Sequence, residues 1–417
     1  MADKETPPQD HVLIIGAGDL VMPAFRIARE ELGLGVIALD YDPQAPGMLY
    51  ADEALLVSTK DVPAAVAASI KAAESHRIAG VFTCGADVEV TVAAVAEALS
   101  LPSIPLEAAR RCNDKVLMHR FLDQQGFTEK PDYRVVTDAN QACRTAGELG
   151  FPCVIKPIDN CASRGVQRLE GPEEMAEAYD LAVSFNGSGG DEVLVEECLS
   201  GSKHTVEMIA YQGQSHLLSI IDTHYISPRW PCETGLSTTT QPLKTQRRIF
   251  DFAKEVARLM GIDFNVYKVD VNVERAGRVR LIELTARLSG GFHCQYASPL
   301  AFGSHDIRAS LKLALDQGLD KEDIRHRYEK GAAVRAIFPQ PGRVASVFGV
   351  EEARTALGVD QVFIWCQAGD VVGPYRNSAD RVAFVVAGGE TTAEAVANAE
   401  QAAGLIEIAT VPVGEGR

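Results

Sequence analysis

Residues Leu281–Gly291 read "LIELTARLSGG". Leu281 and Ile282 open the segment as a strand, after which Glu283, Thr285 and Arg287 alternate with Leu284, Ala286 and Leu288. Successive strand residues point to opposite faces, so a carboxylate, a hydroxyl and a guanidinium share one side. A half-buried strand with one wet face would look the same. The segment before it, "YKVDVNV" (Tyr267–Val273), lines one of its own faces with Lys268, Asp270 and Asn272. On facing strands, Asp270 and Glu283 can aim oxygens at one Mg²⁺, a hard cation that prefers carboxylates together with phosphate oxygens. Two acids on adjacent strands repel unless a cation lies between them. Lys268 and Arg287 on the same face would meet anionic charge that such a metal leaves uncompensated.

Upstream, "VIKPIDNCASRGV" (Val154–Val166) ends an apolar strand in Lys156 and follows it with a small, polar loop. A cation at the end of a buried strand is costly without an anionic partner. Ala162, Ser163 and Gly165 are small enough for backbone N–H groups to close on phosphate oxygens, and Arg164 adds a forked cation. The order G-x-x-x-x-G-K-[ST] is absent, so this is no P-loop. In "VLVEECLSGSKHTVE" (Val193–Glu207) a buried strand runs into Glu196 and Glu197. Such a strand end offers backbone groups to an adenine edge, with Leu199 to cover the ring and His204 or Glu207 to reach ribose hydroxyls.

The chain of 417 residues is too long for one ordinary core. Lobes 1–105, 106–325 and 326–417 are expected. The first opens with "HVLIIGAGDLVMPAFRIAREELGLGVIALDYDP" (His11–Pro43): buried strand, glycine turn, helix and second strand, the start of a doubly wound α/β sheet. The glycine turn suggests an NAD(P)-dependent oxidoreductase, with Asp40 as the ribose acid. The fingerprint's third glycine is missing, because Val21 stands three residues after Gly18. The middle lobe reads as α+β with mostly antiparallel strands, opened by one helix over Glu107–Gly126. The last lobe, also α+β, is small.

With 46% hydrophobic and 23% charged residues the composition is that of a soluble globular protein. A net charge of −17 argues against nucleic acid or anionic membrane as partners, though not against a local cationic pocket. "MADKETPPQD" (Met1–Asp10) has no apolar core of a signal peptide, so a cytoplasmic location is expected. The nine cysteines are scattered without C-x-x-C or metal spacing and are read as reduced thiols.

Taken in order, Lys115, Lys156, the small-residue loop, the Glu196–Glu197 strand end, Asp270, Glu283 and Arg287 resemble the ATP-grasp superfamily. The nearest likeness is to its carboxylate–amine ligases: L-amino acid ligases and the relatives of carbamoyl phosphate synthetase and biotin carboxylase. The resemblance covers nearly the whole chain and is sharpest at "IELTARLSGG" (Ile282–Gly291), against a family pattern E-x-N-x-R-x-x-G-G. It implies an ATP-grasp fold between an N-terminal doubly wound α/β domain and a small C-terminal domain.

The resemblance also implies roles. Lys115 and Lys156 would hold ATP phosphates, Ser163, Arg164, Gly165 and Val166 would form the mobile loop over them, and Glu196, Glu197, Cys198 and Leu199 would bracket adenine. The acidic ribose position falls on His204. Asp270 and Glu283 would carry Mg²⁺ or Mn²⁺, joined by Thr285 where the pattern has asparagine, which makes a second metal ion less certain. Arg287 would steady the transferred phosphoryl group, with Lys156 and Lys268 beside it. The implied reaction phosphorylates a small-molecule carboxylate and joins it to an amine, releasing ADP and phosphate. A biotin carboxylase-like carboxylation and a non-catalytic ATP-grasp module are the rival readings within the superfamily, and a homodimer is a possible assembly.

Substrate choice is assigned to two segments. In Asp222–Leu243, a long connector by its composition, His224, Tyr225, Arg229, Trp230 and Glu233 are candidates for gripping an amino acid. After the metal strand, Gly290, Gly291 and His293 would close the acceptor pocket.

Overall fold

The computed structural model describes residues 9–187, 189–227 and 229–413. Buried runs such as Val12–Ile15 and Val36–Leu39, apolar on both faces, build a parallel sheet. Its strands β1 (Asp10–Ile15), β2 (Gly35–Asp40), β3 (Glu53–Leu56) and β4 (Arg77–Phe82) are ordered β3-β2-β1-β4. The glycine turn after β1 is held from within. Asp40 Oδ2 accepts the Ala17 N–H at 2.7 Å and its Oδ1 accepts the Asp42 N–H at 3.0 Å. A carboxylate spent on its own turn does not read a ribose, and the dinucleotide reading loses its acid.

A second, antiparallel sheet is ordered β5-β8-β6-β7. It consists of β5 (Tyr133–Val136), β6 (Cys153–Pro157), β7 (Gln167–Leu169) and β8 (Val193–Glu197), with helices Ala139–Leu149 and Met175–Ser184 closing a core around Ile155, Val195 and Tyr179. The central sheet begins with β9 (Ser202–Tyr211), β10 (Gln214–Tyr225), β11 (Glu233–Thr238), β12 (Asn265–Val273) and β13 (Val279–Thr285). The C-terminal part adds β14 (Gly331–Ile337), β15 (Gly342–Phe348), β16 (Val359–Ile364), β17 (Val371–Val372), β18 (Ala383–Gly389) and β19 (Glu407–Val411). The eight-stranded order is β13-β12-β9-β10-β11-β14-β18-β16, so the C-terminal part continues the central sheet. A small sheet β17-β15-β19 stands beside it.

The structure departs from the sequence reading at three places. The helix expected over Glu107–Gly126 is two helices, Leu106–Asn113 and Lys115–Gln124. Asp114 breaks it: its backbone is extended, and its side chain caps the second helix by accepting the Leu117 N–H at 2.9 Å. The connector Asp222–Leu243 contains β11, paired to β10 and β14. The strand β19 had no counterpart in the reading. Among the described residues, no helix is long and apolar enough to cross a membrane.

Candidate active site

The three parts of the chain meet at a cleft of about 1250 Å³, walled by Asp87, Lys156, Leu199, Asp270, Glu283 and Arg381 among others. Its floor is the pairing of β12 with β13, where Asp270 lies opposite Glu283 and Lys268 opposite Thr285. The ladder shifts register between Asp270 and Val271. Leu281 enters the core while both Ile282 and Glu283 line the cleft, the re-aiming that a bulge provides.

The two carboxylates converge. Lys268 Nζ donates to Asp270 Oδ2 at 3.2 Å and to Glu283 Oε1 at 3.1 Å, so one cationic group satisfies both. Lys203 Nζ lies 3.2 Å from the same Asp270 oxygen, and Lys115 Nζ lies 3.6 Å from Glu283 Oε2. Thr205 donates its hydroxyl to Asp270 Oδ1 at 2.6 Å. Burial opposes ionisation of Glu283, but Lys268, Lys115 and Lys203 outweigh it and hold the carboxyl well below the usual range. Asp270 is lowered too: Lys203 and Lys268 overcome its burial. Among the described residues no set of three or more His, Cys, Asp and Glu side chains converges as a metal site. A divalent ion at this point would therefore have two protein carboxylates and complete its shell from phosphate and water, the usual habit of Mg²⁺. The residues fit that ion.

Lys156, which also lines the cleft, has an internal partner. Lys156 Nζ lies 2.7 Å from Glu196 Oε2, and the other oxygen of Glu196 is 2.9 Å from His119 Nε2. Burial would raise the Glu196 carboxyl, yet Lys156 and His119 bring it down to about 2. Glu196 is thus the internal partner of Lys156, and Glu197 is held by Arg280 through contacts of 2.8 and 2.9 Å. Both glutamate side chains are taken within the fold, while Glu196, Glu197, Cys198 and Leu199 all line the cleft, where an adenine edge would meet their backbone.

An acid-stability prediction follows from this pair. A depressed carboxyl stabilises the fold above its ordinary value of 4.5, and that contribution disappears as pH falls toward 2. Urea midpoints measured across that window should fall with acid in the unaltered protein and fall less in Glu196→Gln. Parallel curves would remove Glu196 as an acid-labile anchor.

The loop after Lys156 takes a strained course. Ala162, Ser163 and Gly165 all have left-handed backbone, with φ of 54°, 58° and 72°. Non-glycine residues hold that conformation only where their surroundings impose it. Here Lys115 Nζ donates to Asn160 O at 2.9 Å, and the Ser378 N–H of the C-terminal part donates to Ala162 O at 2.8 Å. Arg164 donates to Cys161 Sγ at 3.4 Å, and Val166 completes the wall. The loop thereby bridges the middle and last parts over the cleft.

Arg287 is buried and bound to Asp87 of the first domain through Nε at 3.1 Å and through Nη2, while Nη1 donates to Leu288 O at 2.9 Å. The Gly85 N–H donates to the same Leu288 carbonyl, at 3.1 Å. Gly290 permits this approach, since a Cβ there would stand 3.2 Å from Gly85 O. Gly291 and Thr285 also line the cleft. Glu89, beside Asp87, is raised to about 7 by burial first and by Asp87 second.

Several expected substrate or nucleotide contacts lie elsewhere. His204 points away from the cleft because strand alternation gives that face to Lys203 and Thr205; its ring is held by Asp222 at 2.7 Å and Ser202 at 2.6 Å. Glu207 is fully buried, and its carboxylate accepts the N–H and hydroxyl of Ser289 at 2.5 and 2.8 Å. His293 is buried in the same network, bonded to Ser219 and Ser289 at 2.8 and 2.6 Å, and burial lowers it to about 4. His224 faces Ser237 at 3.3 Å, away from the cleft. Arg229 pairs with Glu174 at 2.5 Å, and Trp230 lies between Arg229 and Arg376, so neither reaches the cavity. Glu233 and Tyr225 do line it. Asp87, Glu89 and Lys203 were not read from the sequence. The acids in "GADVEV" (Gly85–Val90), past the end of β4, were the available signal, since open α/β sheets bind ligands at the carboxyl ends of their strands.

Comparison with known proteins supplies relatives by sequence and by fold. A family model for an ATP-grasp domain matches residues 149–295, and one for L-amino acid ligase C-terminal domain 2 matches residues 335–411. The uncharacterized protein y4rH of Sinorhizobium fredii is 26% identical over 367 residues, 86% of this chain and 74% of that protein. Formate-dependent phosphoribosylglycinamide formyltransferase of Azoarcus sp. is 29% identical over 191 residues, 46% of this chain; the match spans 48% of that enzyme. Among solved structures, L-amino acid ligase from Bacillus licheniformis superposes with a TM-score of 0.82 at 20% identity, covering 97% of this chain and 100% of that one. The chain thus carries an ATP-grasp domain followed by an L-amino acid ligase C-terminal domain, in the fold of the ATP-grasp enzymes it superposes on.

Proposed function

We propose that this ATP-dependent ligase, which uses ATP with Mg²⁺, phosphorylates the carboxylate of an amino acid and joins it to an amine as an amide or dipeptide. The observation that carries the reading is the convergence of Asp270 and Glu283 on one cation position, between Lys115 and Lys203, in the cleft that Lys156 also lines. Lys115 and Lys156 bind phosphate oxygens, Lys156 exchanging its bond to Glu196 for a ligand. Asp270 and Glu283 hold the metal, which neutralises charge on the transferred phosphoryl group. The loop Asp159–Val166, tied to Ser378, keeps water from a hydrolysable acyl-phosphate. Arg287 and Lys268 meet the anionic oxygens. Glu233 and Tyr225 are the substrate-facing candidates of the segment Asp222–Leu243.

The test offers pools of amino acids and measures nucleotide products, with the carboxylate labelled by ¹⁸O. The expected result is ADP and phosphate formed only with a particular acid–amine pair, the label passing into the released phosphate. AMP and pyrophosphate without labelled phosphate would overturn the acyl-phosphate route, and phosphate release driven by bicarbonate alone would identify a carboxylase.

A further inference from the structure

We infer that Lys268 is a built-in counter-ion that closes the Asp270–Glu283 pair to free divalent cations, so that metal enters the site only together with nucleotide phosphate. The inference rests on the proposed metal role of those two carboxylates.

The geometry is specific. The Lys268 ammonium stands 3.2 Å from Asp270 Oδ2 and 3.1 Å from Glu283 Oε1, within reach of both oxygens a metal would use. It is buried, and its hydrogen bonds among the described residues go to these two acids. Across one ladder stands Thr285, whose hydroxyl adds no charge, and across the other stands Glu207, whose carboxylate is bonded to Ser289.

Charge counting points the same way. The ion-paired cluster holds three carboxylates, Asp270, Glu283 and Glu233, against four cations, Lys268, Lys203, Lys115 and Arg381, a balance of 4 − 3 = +1, while burial raises the Glu207 carboxyl on the flanking strand. The other nearby cations are matched internally, Lys156 by Glu196 and Arg287 by Asp87. A free dication would therefore enter a site that is already positive and poorly screened by water. A metal–nucleotide complex reverses the balance, because the polyphosphate brings more negative charge than the metal brings positive. The four-carbon stem of lysine lets the ammonium leave the carboxylates for a phosphate oxygen when that happens.

Replacing Lys268 by a neutral residue lowers the balance to 3 − 3 = 0, with Asp270 still held by Lys203 and Glu283 by Lys115. One unit charge at such range shifts ionic equilibria by about tenfold to a thousandfold.

The experiment is a Mn²⁺ titration followed by electron paramagnetic resonance, on the full chain with and without the non-hydrolysable nucleotide AMP-PNP. The unaltered protein should take up Mn²⁺ only with AMP-PNP. Lys268→Met should bind Mn²⁺ alone, about tenfold or more tighter than the unaltered protein, and Glu283→Gln in that background should abolish the gain. Lys268→Arg, which keeps the charge, should behave as the unaltered protein does. Should Lys268→Met fail to fold, Lys268→Gln removes the charge while keeping a polar donor, and the same gain is required of it. Nucleotide-free binding equally tight in unaltered protein and neutral variant overturns the counter-ion role while leaving the metal site standing. Nucleotide-dependent Mn²⁺ uptake indifferent to Glu283→Gln overturns the metal site itself.

Discussion

Glu283→Gln should lower turnover by about two to three orders of magnitude while the protein stays folded, the cost of removing one preorganised charge from a phosphoryl-transfer site. The substitution keeps size and hydrogen-bonding capacity but removes the negative charge that Lys268 and Lys115 approach at 3.1 and 3.6 Å. Stability should fall, because Lys268 and Lys115 hold this carboxyl below its usual range, and relief of its repulsion with Asp270 directly opposite offsets only part of the loss. Steady-state kinetics with a calorimetric melt separate the two effects. The loss should fall on kcat more than on the KM for ATP, because under the proposed assignment Lys115 and Lys156 still grip phosphates when the metal is poorly held. Activity within tenfold of the unaltered enzyme would remove Glu283 from the metal site, whatever its melting temperature.

Much of this site could be read before any coordinates, for a physical reason. Strand alternation is a local rule, so the pattern from Glu283 to Arg287 put three side chains on one face, and the pairing of β12 with β13 turned that pattern into a floor. The parallel first sheet and most of the antiparallel strands were legible because their apolar runs are long. Partner identity was not legible. Lys156 was expected to face phosphate, but its partner Glu196 lies 40 residues away on a neighbouring strand, a pairing that only the register β6–β8 creates. Arg287 and Asp87 are 200 residues apart and follow strands of different sheets. The histidines misled for a related reason. His204 and His293 carry suitable chemistry, but each one's inward or outward direction depends on which face of the sheet the neighbouring elements cover. The strand β11 was obscured by its setting within a polar stretch, where edge pairing on both sides supplies what side-chain pattern does not.

Arg287→Met should both abolish ligation and destabilise the fold, and a second substitution should separate the two losses. The guanidinium has five N–H donors. Nε and Nη2 serve Asp87 and one Nη1 hydrogen serves Leu288 O, which leaves 5 − 3 = 2 for a ligand. Those two would meet the transferred phosphoryl group, a contact worth about 10³-fold or more in turnover where an arginine plays this part. Two of the other three tie Asp87, past the end of β4, to the segment after β13, and the third braces the neighbouring Leu288 carbonyl. Removing the arginine therefore strands a carboxylate that Arg287 holds below its usual range against the effect of burial. Breaking such a pair from one side costs about 3–5 kcal/mol. Adding Asp87→Asn removes the stranded charge, so the double variant should recover most of the stability and none of the activity. Urea unfolding and single-turnover ADP formation measure the two separately. A double variant that regains turnover along with stability would show that Arg287 serves the fold alone and that another group steadies the phosphoryl transfer.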